Sequence, residues 1–327
     1  MVVQIKTLQK QPEFCYEKGG SINVEVNKPF NFVLYKTLAL QGDVIPLPYI
    51  YSAESWHSVY ISKSGKYIPI FINPISDYEK LYLKVNVCCD YSSDEEKEIK
   101  SIIEKIFCAN LDLSSFYKLS LCDDQFSRYV NKLIGLKPYF SMDPFEALIK
   151  AIIRQLVRAN IARNSISSLV MKFGKKIRIN DITFYSFPTP NKIAYASKGD
   201  LLNCNVGYKW ALIKELSKDI LSGDLDIKYF KNLNNEKIIE ILTEYNGIGY
   251  WTSRIFLYDG LKRINAYPIR DITLKKAVSK IFHQGTSISW NEVEVFFSNY
   301  SEHVGLASTY LFGAIWLENI SNNLRTT

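Results

Sequence analysis

The stretch Glu236–Val278 holds the residue types and spacings that could do chemistry. It reads as a helix, then Tyr245-Asn246-Gly247-Ile248-Gly249, then a helix from Tyr250. Asn265-Ala266-Tyr267-Pro268-Ile269-Arg270-Asp271 and another helix follow. Two glycines one residue apart let a chain turn sharply, because glycine accepts positive φ at little cost. They also leave backbone amides bare at the start of the next helix, where donors are unpaired and the dipole is positive. Such amides suit an anion, a nucleic-acid phosphate included. A glycine-capped helix followed by another helix explains the same residues with no ligand at all. Ile248 is expected to point inward and pin the turn to both helices.

Asp271 follows Gly249 by 22 positions, past Pro268 and just before a helix. Taken alone it reads as an N-cap that satisfies an orphan amide. Helix-start amides favour the charged form of a carboxylate. Facing a sugar, such a carboxylate could stabilise a cation and orient or deprotonate water. Trp251, two residues after Gly249, reads by itself as a core aromatic one turn into a helix.

A second feature is a run without acidic residues. Between Ala147 and Asn180 stand Lys150, Arg154, Arg158, Arg163, Lys172, Lys175, Lys176 and Arg178, with no Asp or Glu. Lys150, Arg154 and Arg158 recur every four residues, which predicts one basic stripe on a helix that could face phosphates. A charged stripe is usually a solvated face, but the complete lack of counter-charge here favours phosphate contact. Leu156 fits the apolar face shared by Ile149, Ile152 and Ile153.

The elements that must position these residues fall into two parts. Asn31–Thr37, Trp56–Ile61, Tyr67–Ile72 and Leu81–Val87 are short and rich in β-branched and aromatic residues. Turn residues Gly42-Asp43, Ser64-Gly65 and Asn73-Pro74 separate them, which predicts antiparallel strands. Asp94–Phe107 reads as an amphipathic helix, acidic in its first turn. From Leu113 onward helical periodicity dominates. Helices are predicted at Phe116–Ile134, Pro144–Phe173, Lys192–Ala196, Tyr208–Ser222, Glu236–Tyr245, Tyr250–Tyr258, Ile272–Phe282, Glu292–Asn299 and Leu306–Asn319. The expected fold class is α+β: an antiparallel α/β domain over residues 1–112, then an all-α region over 113–327.

Composition narrows the functional classes. The 327 residues are 47% hydrophobic, 22% charged and 14% aromatic, as in a folded soluble protein. A formal net charge of +7 favours a polyanionic partner without establishing one. Cys15, Cys88, Cys89, Cys108, Cys122 and Cys204 form no CxxC pair, which argues against an iron–sulfur cluster or structural zinc. With His57, His283 and His303 far apart, no metal site is expected. No apolar run is long enough to span a membrane and no targeting peptide is evident, so an intracellular protein is expected.

The hairpin, the helix after it and the Pro–Asp at this distance resemble the signature of the helix-hairpin-helix DNA glycosylase superfamily. Asp143-Pro144-Phe145-Glu146-Ala147-Leu148-Ile149, followed by Ala151-Ile152-Ile153-Arg154-Gln155-Leu156-Val157, is similar to a motif of 3-methyladenine DNA glycosylase II. Gly207-Tyr208-Lys209 and Gly305–Leu311 resemble a turn and the last helix of that superfamily, so the likeness covers about residues 113–320. The resemblance implies a helical region in two subdomains with a cleft between them. It implies Asp271 as the catalytic aspartate and a base pocket around Trp251, Ile255 and Ile272. It implies DNA contacts from Gly247, Ile248, Gly249, Arg154, Gln155, Leu156, Arg158 and Lys209, with Leu156 as a wedge into the duplex. The partner would be double-stranded DNA carrying a damaged base, met by a monomer without a cofactor. The hairpin carbonyls hold a monovalent cation in relatives, and the sequence leaves that open here.

Bifunctional members carry a nucleophilic lysine where this chain has Trp251, and an indole cannot form an imine. The resemblance therefore implies a monofunctional enzyme that releases a damaged purine, an alkylated one such as 3-methyladenine. Several positions depart from the family pattern. Ile255 and Ile272 stand where Tyr is found, Asn246 replaces a frequent Pro, and Arg154 and Arg158 replace smaller residues. Asn160-Ile161-Ala162-Arg163 resembles the 8-oxoguanine branch instead. Two alternatives stay open: an oxidised-purine glycosylase/lyase using another lysine, and a non-catalytic DNA-binding module.

Overall fold

The computed structural model describes residues 19–34, 47–51, 55–76 and 80–325. Strands β1 (Gly20–Val26), β2 (Ile50–Tyr51), β3 (Trp56–Ile61), β4 (Tyr67–Ser76) and β5 (Leu81–Val87) form an antiparallel sheet in the order β1-β5-β4-β3-β2. Alternation sets the faces: Ile22, Val24 and Val26 point inward while Ser21, Asn23 and Glu25 face water. Helix α1 (Ser93–Ile106) starts at a capping box of Ser92 and Glu95. It buries Ile99, Ile103 and Ile106 against the sheet. The strand expected at Asn31–Thr37 does not form over its described part, where residues 32–34 are helical; residues 35–37 and the Gly42-Asp43 turn lie outside the described residues.

The remainder comprises α2 (Ser114–Ser120), α3 (Asp124–Lys132), α4 (Pro144–Arg154) and α5 (Ala159–Phe173). Next come β6 (Lys176–Ile179), β7 (Ile182–Tyr185), α6 (Pro190–Ala194), α7 (Lys198–Leu202), α8 (Trp210–Ser222) and α9 (Asn235–Thr243). The chain continues with α10 (Tyr250–Ile255), α11 (Ile272–Phe282), α12 (Trp290–Ser298) and α13 (Val304–Arg325). The 116–134 stretch splits because Asp123 caps a new helix, its Oδ1 accepting from the amides of Gln125 and Phe126. The 144–173 stretch splits as well: Gln155 leaves helical geometry at ψ 128°, and α5 begins only after Arg158. The β6–β7 hairpin is an addition to the expected helices. It docks on β3, where Ser58 Oγ donates to the Tyr185 carbonyl at 3.1 Å and Phe184 meets His57 edge-on.

The helices build two separate apolar cores. One gathers α4, α5, α8, α9 and the 245–249 turn around Ile149, Leu169, Ile213, Leu242 and Ile248. The other gathers α2, α3, α11, α12 and α13 around Phe116, Phe126, Leu274, Phe297 and Tyr310. The chain passes from the first core to the second between α10 and α11, and this is where the sequence signals lie.

Candidate active site

Asp271 is the N-cap of α11, with extended backbone at φ −87°, ψ 131°. Its Oδ1 accepts from the Thr273 amide at 2.7 Å and the Leu274 amide at 3.1 Å. The N-cap reading and the chemical reading are therefore not alternatives, because capping uses one oxygen. The other, Oδ2, accepts from the Trp251 indole N–H at 2.7 Å. Trp251 rides on α10 beside the first core and Asp271 opens α11 of the second, so this bond spans their junction. Asp271 is 6% exposed, yet its chain neighbours Arg270 and Ile272 face solvent. Arg254, also on α10, donates to the carbonyls of Asn265 and Tyr267 at 3.4 Å each. Thus α10 holds the Asp271 segment at two points. Burial, and then the nearby Asp271 charge, push the Tyr267 phenol well above its usual range.

The turn before α10 has the backbone that its glycines permit. Gly247 has φ +102°, a left-handed value, and a Cβ there would meet Leu212 Cδ2 at 3.3 Å. Ile248 is buried and its amide donates to the Tyr245 carbonyl at 3.0 Å. Gly249 has ordinary φ (−106°), and nothing lies within 4 Å of where its Cβ would be. The space in front of α10 is thus open. Gln155 fastens this turn: its Nε2 donates to the Gly247 carbonyl and to Thr252 Oγ1, both at 2.8 Å. The amide expected to meet DNA is therefore engaged within the protein.

Leu156, one residue on, is 96% exposed with φ +54°. It left the apolar face of Ile149, Ile152 and Ile153 when α4 ended, and those three stay buried. Lys209 corrects an expectation. It is not a surface DNA contact but 5% exposed, with Nζ donating to the carbonyls of Ile153 at 2.8 Å and Gln155 at 2.6 Å. Burial holds its ammonium below the ordinary lysine range. The predicted basic stripe also fails. Lys150 is buried and paired with Glu146 at 3.1 Å, while Arg154 and Arg158 are exposed on either side of the α4–α5 break. Of the expected base-pocket residues, Trp251 is half-buried, Ile255 is buried and Ile272 is 65% exposed. Sequence reasoning missed the clamping role of Gln155 and Arg254. A polar residue just past a helix end was the only signal for the first.

Among the described residues no group of His, Cys, Asp or Glu side chains could hold a metal ion. No helix among them is long and apolar enough to cross a membrane. A hollow of about 520 Å3 on the N-terminal domain, lined by Tyr60, Lys63, Glu98 and Lys105 among others, shares no residue with this site.

An antiparallel domain, two helical cores and a glycine turn placed before a capping aspartate define the helix-hairpin-helix DNA glycosylase fold. The chain has that fold, and the curated relatives and solved structures it resembles are DNA glycosylases. It is 26% identical over 255 residues to a probable N-glycosylase/DNA lyase of Methanothermobacter thermautotrophicus, covering 72% of this chain and 80% of the relative. A 3-methyladenine DNA glycosylase from Archaeoglobus fulgidus superposes with a TM-score of 0.78 at 23% identity, over 89% of this chain and 97% of that one. A Clostridium acetobutylicum 8-oxoguanine glycosylase/lyase, solved with double-stranded DNA, gives 0.63 at 21% identity, over 83% and 98%. No family model matches the chain.

Proposed function

We propose that the protein is a monofunctional DNA glycosylase that hydrolyses the N-glycosidic bond of an alkylated purine flipped from duplex DNA. The observation that carries this reading is the Asp271 carboxylate, fixed by two amides and the Trp251 indole where the two helical cores meet. Breakage of the C1′–N bond leaves the electron pair on the purine and positive charge on the sugar. A preoriented carboxylate stabilises that charge without reorganising, which can supply several kcal/mol. Water then bonds to C1′, and Asp271 orients it and takes up its proton. An alkylated purine already carries positive charge, so it leaves readily and stacks on the Trp251 ring, a contact of about 0.5–2 kcal/mol. Exposed Arg154 and Arg158 and the open turn at Gly249 meet phosphates, Leu156 enters the stack, and a monomer without a cofactor suffices. The known proteins that resemble this chain include a 3-methyladenine glycosylase, in keeping with this reading, and an 8-oxoguanine glycosylase/lyase solved on duplex DNA, in keeping with DNA as the partner.

The test uses duplex DNA methylated with dimethyl sulfate, with free methylpurines quantified. Asp271→Asn should bind duplex normally and lose most release. Release at the normal rate from the Asn variant would overturn the mechanism. A second reading, glycosylase with lyase activity, is favoured by the name of the Methanothermobacter relative. Borohydride trapping decides it, since a covalent enzyme–DNA adduct would require a lysine imine that Trp251 cannot supply.

A further inference from the structure

The last carbonyls of a helix lack intrahelical partners, and a cation at that end also opposes the dipole. At the end of α4 this cation is the buried ammonium of Lys209, reaching across from the turn before α8 to the carbonyls of Ile153 and Gln155. On the other side, the Gln155 side chain is tied to Gly247 and Thr252 of the hairpin. Both ties converge on Gln155, and directly after it stands Leu156, a leucine in left-handed backbone geometry with its side chain almost wholly in water. Neither property favours the free loop. A released leucine would relax to negative φ and cover apolar surface, and Val157 and Ile161, next along the chain, leave such surface exposed. The strained, solvated state persists because the Lys209 and hairpin ties together over-determine the backbone at Gln155, from which Leu156 emerges.

We propose that Lys209 and Gln155 are positioning residues that hold Leu156 erect for insertion into the base stack and couple that insertion to the grip of the hairpin. This rests on the DNA glycosylase reading. It differs from a purely structural role for Lys209 in requiring that its effect vanish when Leu156 is absent.

The experiment uses the full chain and a duplex containing a tetrahydrofuran abasic analogue beside 2-aminopurine, whose fluorescence rises when a side chain unstacks it. No base release is needed for the signal. Leu156→Ala should remove most of the rise. Lys209→Met should lower it to the same level while duplex affinity changes less than about threefold, and the double variant should fall no further. Lys209→Arg should restore at least half. Full fluorescence in Lys209→Met, or additive losses in the double variant, would overturn the proposal, as would no rise with the wild-type chain. If Lys209→Met does not fold, Gln155→Ala, which cuts only the hairpin tie, must show the same lack of additivity with Leu156→Ala. The glycosylase reading fails separately. Absent release of methylpurines by the wild type sinks that reading, while an intact fluorescence pattern still supports the bracket.

Discussion

At the scale of single residues, the carboxylate of Asp271 is shared between architecture and chemistry. One oxygen caps α11, and the other is held by Trp251. A hydrogen bond to a charged group contributes about 1.5–3 kcal/mol. Trp251→Phe keeps an aromatic ring and removes this donor, so single-turnover release of methylpurines should fall roughly 10- to 100-fold by that energy. Duplex affinity should change little, because the ring still packs. An unchanged rate in the Phe variant would show that the indole N–H does not orient Asp271 during the reaction.

At the scale of elements, the two glycines of the hairpin do different work. Gly247 needs its left-handed φ, and Leu212 crowds the place where a side chain would begin. Gly247→Ala should cost about 1–2 kcal/mol of stability. Gly249 has ordinary φ and open space in front of it. Gly249→Ala should therefore melt within about 0.5 kcal/mol of wild type, as for an unremarkable surface change. On the proposed binding mode it should still weaken duplex binding several-fold, because a methyl group would then stand between α10 and the phosphate. Thermal melting with a fluorescence-anisotropy titration separates the two effects.

The β6–β7 hairpin makes a second element-scale prediction through His57. Burial on β3 against Phe71 and Phe184 lowers its imidazole to about 4 from the ordinary 6.5. The unfolded chain therefore binds a proton that the folded chain refuses. The stability is whole above pH 6.5 and is lost as pH falls toward 4. The loss amounts to about 3 kcal/mol at most. His57→Leu should flatten this part of the profile in a series of melts, and an unchanged slope between the same limits would rule His57 out as its source.

Across the whole molecule, a buried polar chain joins the N-terminal domain to the first helical core. Tyr49 Oη donates to Glu146 Oε2 at 2.6 Å, and Glu146 Oε1 pairs with Lys150. Lys150 Nζ donates to Ser141 Oγ at 2.9 Å, and Ser141 donates to Asp259 Oδ2 at 2.9 Å, in the helical turn after α10. Burial pushes the Glu146 carboxyl up, and the Lys150 charge opposes that push. Lys150→Met would leave Glu146 buried without its cation and should destabilise by about 3–5 kcal/mol. Chemical denaturation measures this. A loss below about 1 kcal/mol would mean that Glu146 takes up a proton and needs no partner.

The Gly-Ile-Gly turn, the capping aspartate, the tryptophan in place of a lysine, three of the strands and α1 were all legible in the residues, because each depends on neighbours a few positions away. Backbone permissiveness, capping and periodicity are local physics. Tertiary structure decided what local pattern could not. Lys150, Arg154 and Arg158 share a four-residue spacing, but the helix that would align them ends at Arg154 and its first lysine is buried. Lys209 looks like any surface lysine until the end of α4 is packed over it, and Leu156 looks like a core residue until the helix beneath it stops. The bond from Trp251 to Asp271 joins residues 20 positions apart, one on a helix beside the first core and one at the start of a helix of the second. Only the packing of those cores could bring the indole to the carboxylate, since burial and long-range pairing are set by where elements meet and not by the order in which residues are linked.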